Sequence, residues 1–404
     1  MSMVKTEAAP RALWAQPRTA TERIRLLKFN TIFAVGGTEG QVTMVAKGLH
    51  QGSFDVHLAC LLRSGQLLSQ VELLENGLVD YKIRNLYGRH AMTERLRFAG
   101  YLRQNLIQIV HTYNFYPNVF AIPAARLAGT PVVLASIRDT GAYLTPARQQ
   151  VHKAVCRLAH AILVNAEAIK QWLIAQGYDA RKITVIRNGV DLARFGGRGH
   201  APRIRHELGL PPDAPLVAVV ARLSPIKGLE YFLDAAVQVA ASHPDARFLV
   251  VGEGLFNDTT YRQDLERYAA RLGLSERVVF TGLRTDIPDL LSELAVSVLP
   301  SLSEGLSNTL LESMAAAVPV VATTVGGTLE AVEDGVTGFL VPPRDAGALA
   351  RAMERILDNP ELATRLGRAG RRRVAERFSI DGMIRETERL YVRLLETRRH
   401  ALAS

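Results

Sequence analysis

Short apolar runs separated by stretches of helical periodicity recur from one end of this chain to the other, and that alternation limits the fold more than any other feature. The runs lie at residues 26–33, 54–62, 107–111, 132–137, 161–164 and 183–186, and again at 216–220, 248–251, 278–280, 296–299 and 318–322. They are mostly apolar and show no sustained alternation with polar residues, as strands do when helices cover both faces of a parallel sheet. The expected class is therefore α/β, with doubly wound parallel sheets. Gly196, Gly197 and Gly199, followed by Pro202, Pro211, Pro212 and Pro215, separate the two sets and read as a linker. The sequence predicts a loose tail over 1–21, a Rossmann-like domain over 22–196 and a second over 197–378. A helical stretch at 380–395 follows the second set, and the segment 379–404 is expected to cross back to the first domain.

Length agrees with two domains, since 404 residues exceed what one ordinary core of roughly 150–200 residues needs. A hydrophobic content of 48% with 22% charged residues excludes disorder and fibrous repeats. Neither a membrane-spanning apolar run nor a signal-like stretch is visible, so a cytoplasmic location is expected. Cys60 and Cys156 lie far apart and outside metal-ligand spacing, and read as buried thiols. The net charge of +10 is uneven: residues 1–200 hold 25 Lys or Arg against 12 Asp or Glu, and residues 201–404 hold 24 against 27. The first domain is therefore expected to meet something anionic, such as a membrane surface, a lipid-linked phosphate or an acidic acceptor. An arginine-rich proteome would explain the same excess. No nucleic-acid partner is expected.

The segment Ser301-Leu302-Ser303-Glu304-Gly305-Leu306-Ser307-Asn308-Thr309-Leu310-Leu311-Glu312 directly follows the apolar run 296–299. Gly305 permits close backbone approach to a ligand, and Ser307 or Asn308 caps a helix reaching about residue 317. Orphan amides and the helix dipole make that turn an anion site. Glu304 is placed to accept bonds from sugar hydroxyls, and Glu312 to reach ribose hydroxyls. The plainer alternative is a capped helix carrying two solvated acids.

With this segment the chain resembles glycosyltransferase family 4, from about residue 24 to residue 395. The resemblance rests on several motifs in order: Gly36-Gly37-Thr38-Glu39, Asn188-Gly189-Val190-Asp191, Ala221-Arg222-Leu223-Ser224-Pro225-Ile226-Lys227-Gly228, Val251-Gly252-Glu253-Gly254, the 301–312 segment, and Gly326-Gly327 with Glu330. It implies the GT-B architecture, two Rossmann-like domains facing across a cleft, and a retaining transferase. Arg222 and Lys227, beyond the first strand of the second domain, are expected to hold a diphosphate and neutralise it as it departs. Gly36 and Gly37 offer amides to a pyrophosphate or acceptor, and Gly252 and Glu253 approach the nucleotide. Leu283 resembles the position whose backbone reads the base in the family. The sequence has no Asp-x-Asp and no histidine cluster, so neither a metal nor another cofactor is expected.

One departure stands out. Many family members carry a histidine after the strand equivalent to 132–137, where this chain has Arg138, with Asp139 placed to hold it. His111, at the end of an earlier apolar run, is a further acceptor-side candidate. The stretch 84–103 contains Tyr87, Arg89, Arg95, Arg97, Phe98 and Tyr101 and would suit an anionic membrane, yet Met92, Leu96, Ala99, Leu102 and Leu106 give it the period of a helix packed on a sheet. Arg371, Arg372 and Arg373 read as a solvated helix face. The expected activity is transfer of a sugar from a nucleotide diphosphate donor, a UDP-sugar, to a carbohydrate or lipid-linked acceptor, in cell-surface polysaccharide or glycolipid synthesis and with peripheral contact at the inner membrane face. A non-hydrolysing nucleotide-sugar epimerase of the same fold is the alternative. A non-catalytic binding protein and a dehydrogenase fit less well, the latter because neither glycine cluster completes the dinucleotide pattern.

Overall fold

The computed structural model describes residues 23–50, 52–74, 76–141, 143–195, 203–254 and 258–403. The tail over 1–21 and the glycine cluster from Gly196 to Gly199 lie outside these described residues. The chain forms two units, one of residues 1–187 with 381–404 and one of residues 188–380.

The first unit holds a seven-stranded sheet of β1 (Ile24–Asn30), β2 (Phe54–Cys60), β3 (Leu78–Asp80), β4 (Ile109–Tyr113), β5 (Val132–Ile137), β6 (Ala161–Val164) and β7 (Ile183–Val185) in the order 3-2-1-4-5-6-7. Every pairing is parallel. All strand ends that follow the C-terminal direction therefore share one edge, and the order reverses between β1 and β4. Phe29 packs edge-on against Phe98 with centroids 5.1 Å apart and lies 5.6 Å from Tyr81. Each such buried ring contributes roughly 1.5–3 kcal/mol through area removed from water. The last helix, Ile380–Ala403, belongs to this unit and covers Gly48, where a Cβ would overlap the Ile384 side chain.

The second unit holds β8 (Leu216–Val220), β9 (Arg247–Val251), β10 (Val278–Gly282), β11 (Val296–Leu299), β12 (Val320–Thr323) and β13 (Phe339–Val341) in the order 10-9-8-11-12-13, again parallel throughout. Phe232 and Phe248 anchor its core in an edge contact at 6.1 Å. The chain enters this unit at Asn188, before the glycine cluster that the sequence marks as a linker. The reason is local: the Asn188 side-chain amide donates to the Leu306 carbonyl at 2.8 Å, and Val190 bridges Ser379, so the 188–191 segment is already tied to the second sheet.

The stretch 84–103 resolves largely in favour of packing. It forms the helix Arg89–Gln104, in which Phe98 is wholly buried. Arg95 donates to the Leu86 and Phe120 carbonyls, Arg97 to the Asp80 carbonyl and Arg103 to the Leu127 carbonyl, so these cations stitch loops and helices together. Tyr87, Met92 and Leu96 remain exposed. The arginine triplet is corrected in the same way. Arg371 donates to the Phe195 and Ala315 carbonyls and Arg373 to the Ala331 and Glu330 carbonyls, leaving only Arg372 on the solvated face.

Candidate active site

In the second unit the loops that leave the strands at the C-terminal edge are bound to one another by their backbones. After β8 the chain runs through Ala221, Arg222 and Leu223 into a short turn, Pro225–Lys227, and then Gly228. Gly228 has a φ of 64°, and a Cβ there would overlap the Pro300 carbonyl oxygen. Gly252, just past β9, has a φ of 138°, and a Cβ there would overlap the Ala221 carbonyl oxygen. Only glycine meets both demands at once, so these two positions fix how closely neighbouring loops approach. The Leu223 amide donates to the Glu253 carbonyl at 3.0 Å, and the Leu302 amide to the Ile226 carbonyl at 2.8 Å.

This knitting places Lys227 against Glu304. The Lys227 ammonium donates to Glu304 Oε1 at 2.5 Å, and the Ser301 hydroxyl donates to the same oxygen at 2.7 Å. The pair is largely enclosed, with side-chain exposures of 21% and 9%. Gly326 seats the glutamate backbone: at a φ of 50° a Cβ on it would overlap the Glu304 carbonyl oxygen, and the Gly327 amide donates to the Gly305 carbonyl at 2.6 Å. Beyond Glu304 the helix Asn308–Ala315 begins under a cap in which the Ser307 hydroxyl accepts from the Leu310 amide at 3.3 Å. Asn188 fastens that helix start, donating to the Leu306 carbonyl and to Asn308 Oδ1 at 2.7 Å. Gly305, Leu306 and Ser307 are buried. The early amides of that helix and its dipole favour an anion at this point.

Arg222 lies exposed on the same loop as Lys227 and forms no ion pair or hydrogen bond among the described residues. Glu253 is exposed, and Leu283 follows β10 directly and is half-buried. Glu312 sits in the helix Asn308–Ala315, its carboxyl pushed up to about 7 by burial and drawn partly back by Arg194. The sequence reasoning found Lys227 and Glu304 as separate candidates; it missed Ser301 as a second donor to the carboxylate and Arg194 as a charge acting on Glu312. The only sequence signal for Ser301 was its place three residues before Glu304, directly after a buried strand.

In the first unit, Gly36 and Gly37 stand at the start of the helix Gly37–His50, six or seven residues past the end of β1. Arg138 follows β5 and is half-buried, with its backbone amide donating to Asn114 Oδ1 at 3.0 Å. Burial holds its guanidinium below its ordinary pKa, while Tyr113, Glu39 and Asp139 pull the other way. The Gly36-Gly37-Thr38-Glu39 motif and Arg138 are thus within electrostatic reach of each other. Asp139 Oδ1 accepts from the Gly141 amide at 2.8 Å.

His111 is corrected. It lies in the middle of β4, not at a strand end, and is 1% exposed. Its Nδ1 is 2.6 Å from the Tyr391 hydroxyl and 3.0 Å from that of Tyr113, on which its ring stacks at 4.3 Å. Lys28, on the neighbouring strand, donates to the same Tyr391 hydroxyl at 3.3 Å. The imidazole is thus enclosed by Tyr113, Tyr391 and Lys28.

Two family models match this chain side by side: Glycosyltransferase Family 4 over residues 35–194 and Glycosyl transferases group 1 over residues 201–373. A 2-deoxystreptamine glucosyltransferase of Streptomyces kanamyceticus is 30% identical over 305 residues, 72% of this chain and 78% of that protein. The chain belongs to glycosyltransferase family 4. This family-4 protein is also 28% identical over 353 residues, 84% of its own length and 89% of the relative's, to the UDP-Gal:alpha-D-GlcNAc-diphosphoundecaprenol alpha-1,3-galactosyltransferase of Escherichia coli. The crystal structure of Anabaena HepE in complex with UDP-glucose superposes with a TM-score of 0.82 over 92% of this chain and 100% of that one, at 22% identity. The family-4 protein thus has the GT-B fold and is a glycosyltransferase that uses a nucleotide-sugar donor. Among the described residues no helix is long and apolar enough to cross a membrane.

Proposed function

We propose that the protein is a retaining glycosyltransferase that takes a sugar from a UDP-sugar without a metal ion and passes it to a carbohydrate or lipid-linked hydroxyl. The observation that carries this reading is the Lys227–Glu304 pair beside the capped start of the helix Asn308–Ala315. A cation and the start of a helix stand together there, which suits a diphosphate, and a carboxylate stands ready for sugar hydroxyls. Arg222 and Lys227 neutralise the departing diphosphate, Glu312 takes the ribose, and Gly252, Glu253 and the Leu283 backbone border the nucleotide. In the reaction the bond from the anomeric carbon to the diphosphate breaks and a bond to the acceptor oxygen forms on the same face. The acceptor proton passes to the departing phosphate oxygen.

The first unit takes the acceptor, with Arg138 and Asp139 on its side, consistent with a basic half and with the lipid diphosphate named for the E. coli relative. Activity at a membrane surface, in polysaccharide or glycolipid synthesis, follows from the same charge and from exposed Tyr87, Met92 and Leu96. Thermal stabilisation by UDP-, GDP- and dTDP-sugars tests the donor, since a ligand bound only to the folded state raises the melting point. UDP-sugars are expected to stabilise most, equally with and without a chelator. A larger effect from another nucleotide, or one abolished by chelation, refutes the donor or the metal-free mechanism respectively. Proton NMR of the fresh product reads the anomeric outcome, and inversion would overturn retention. Flotation with anionic vesicles checks membrane contact.

A further inference from the structure

Where β4 and β5 end in the first unit, the helices Pro146–Cys156 and Glu167–Ala175 and the following turn line a small, open-mouthed pocket. Three observations converge on it. Trp172 and Tyr178 line it, both half-buried, and neither the indole N–H nor the phenol hydroxyl makes a hydrogen bond among the described residues.

Asn114 stands at its rim with φ 61° and ψ −170°, a combination that is almost confined to glycine and that clusters at functional sites. The Asn114 carboxamide oxygen accepts from the Arg138 amide at 3.0 Å, which leaves its NH2 group without a partner among the described residues. Strain is therefore tolerated where the side chain braces Arg138 and presents two donors to the pocket.

The third observation is charge. Lys153, which donates to the Gln176 carbonyl at 2.6 Å, and Asp139 line the same pocket and offset each other. A phosphate would meet the Asp139 carboxylate, whereas a neutral polyol would use it as an acceptor for hydroxyl donors. An aromatic face with unpaired donors and one carboxylate around it matches a pyranose ring, whose apolar face stacks while its hydroxyls bond outward.

We propose that the mouth of this pocket is a carbohydrate subsite against which one pyranose ring of the acceptor stacks. The word acceptor rests on the transferase reading above; the pyranose site itself does not. The chain has two tryptophans, Trp14 and Trp172, so Trp14→Phe leaves Trp172 as the sole fluorescent reporter. Methyl glycosides of glucose, galactose, mannose and N-acetylglucosamine are titrated into that full-length variant, with UDP titrated separately by calorimetry and by fluorescence. At least one glycoside is expected to change Trp172 emission saturably. Tyr178→Phe and Asn114→Ala, each made in that background, should weaken the response about five- to tenfold, the loss of one or two neutral hydrogen bonds, with UDP affinity unchanged. No response to any glycoside at roughly 50 mM, far above a weak millimolar constant, overturns the proposal. So does a Trp172 response to UDP alone, or full affinity in both variants. Absence of calorimetric UDP binding alongside an intact glycoside response would instead sink the donor reading and leave the pocket standing.

Discussion

Lys227 donates to Glu304 at 2.5 Å across 77 residues of sequence, so the cation of one loop reaches the turn of another already paired. In the proposed reaction, a diphosphate that engages Lys227 would share or displace that carboxylate, which would couple arrival of the donor phosphate to the orientation of Glu304. The Ser301 hydroxyl, also on Glu304 Oε1, keeps the carboxylate partly satisfied while the lysine turns away.

The two partners should fail differently. Lys227→Ala is expected to weaken UDP binding by about 1.5–3 kcal/mol, the value of a charged hydrogen bond, or roughly 10–100-fold in calorimetry. Glu304→Ala should leave UDP affinity within about threefold but lower kcat by about 10²–10³, as loss of a preorganised group at a reacting centre does. Near-normal turnover of Glu304→Ala would remove it from the chemistry.

Gly326 supports this glutamate from behind. Gly326→Ala places a methyl group into the Glu304 carbonyl at a φ of 50°, so the turn must shift. A stability loss of about 1–3 kcal/mol is expected, read by denaturant unfolding, together with a kcat loss larger than the change in UDP affinity. An unchanged kcat would mean that the position of the turn does not matter.

Glu312 gives the pH test. Its carboxyl is pushed up to about 7 from 4.5, chiefly by burial. Below about pH 4 both the folded and unfolded chains hold the proton, and the site costs nothing. Between 4.5 and about 7 the unfolded chain releases it first, so stability falls as pH rises and stays reduced above that window. Glu312→Gln should raise the melting temperature at pH 8 by ~2–4 °C, the shift for about 1 kcal/mol in a unit of this size, and leave it nearly unchanged at pH 4. An equal shift at both pH values would show that the carboxyl is not buried as described.

Lys28 carries the opposite sign. Burial, helped by Arg138, lowers its ammonium from 10.5 to about 7. Between those values the unfolded chain holds a proton that the folded chain releases, so stability rises with pH across the window. Lys28→Met should stabilise the protein at pH 7 and lose that advantage by about pH 10.5. Melting curves at both pH values decide it; a destabilised variant at pH 7 would mean that the bond to Tyr391 outweighs the cost of burial.

Most of the fold was legible because short, mostly apolar strands alternating with helices leave few alternatives. The runs at 132–137, 161–164, 216–220 and 296–299 coincide with β5, β6, β8 and β11. The three-residue edge strands Leu78–Asp80 and Phe339–Val341 were missed, whereas β7, equally short, was announced by the apolar run 183–186. His111 was misread because the apolar run breaks at a histidine, whereas the strand continues to Tyr113; what lets an imidazole lie inside a sheet is Tyr391, 280 residues away. Local pattern carries no trace of such a partner. Lys227 and Glu304 were legible as types at the ends of strands, but their direct bond depends on two glycines whose carbonyl contacts appear only in three dimensions. Asn114 carried no signal at all, since nothing in the sequence marks an asparagine for a glycine-like backbone.

The first unit is built from two separate stretches of chain, with the helix Ile380–Ala403 returning to cap Lys28 and His111 through Tyr391. Recombination that exchanges the first unit between relatives therefore cannot be a single cut. A chimera that swaps only residues 1–187 would set foreign strands against its own terminal helix, whereas one that carries both pieces keeps that seam matched.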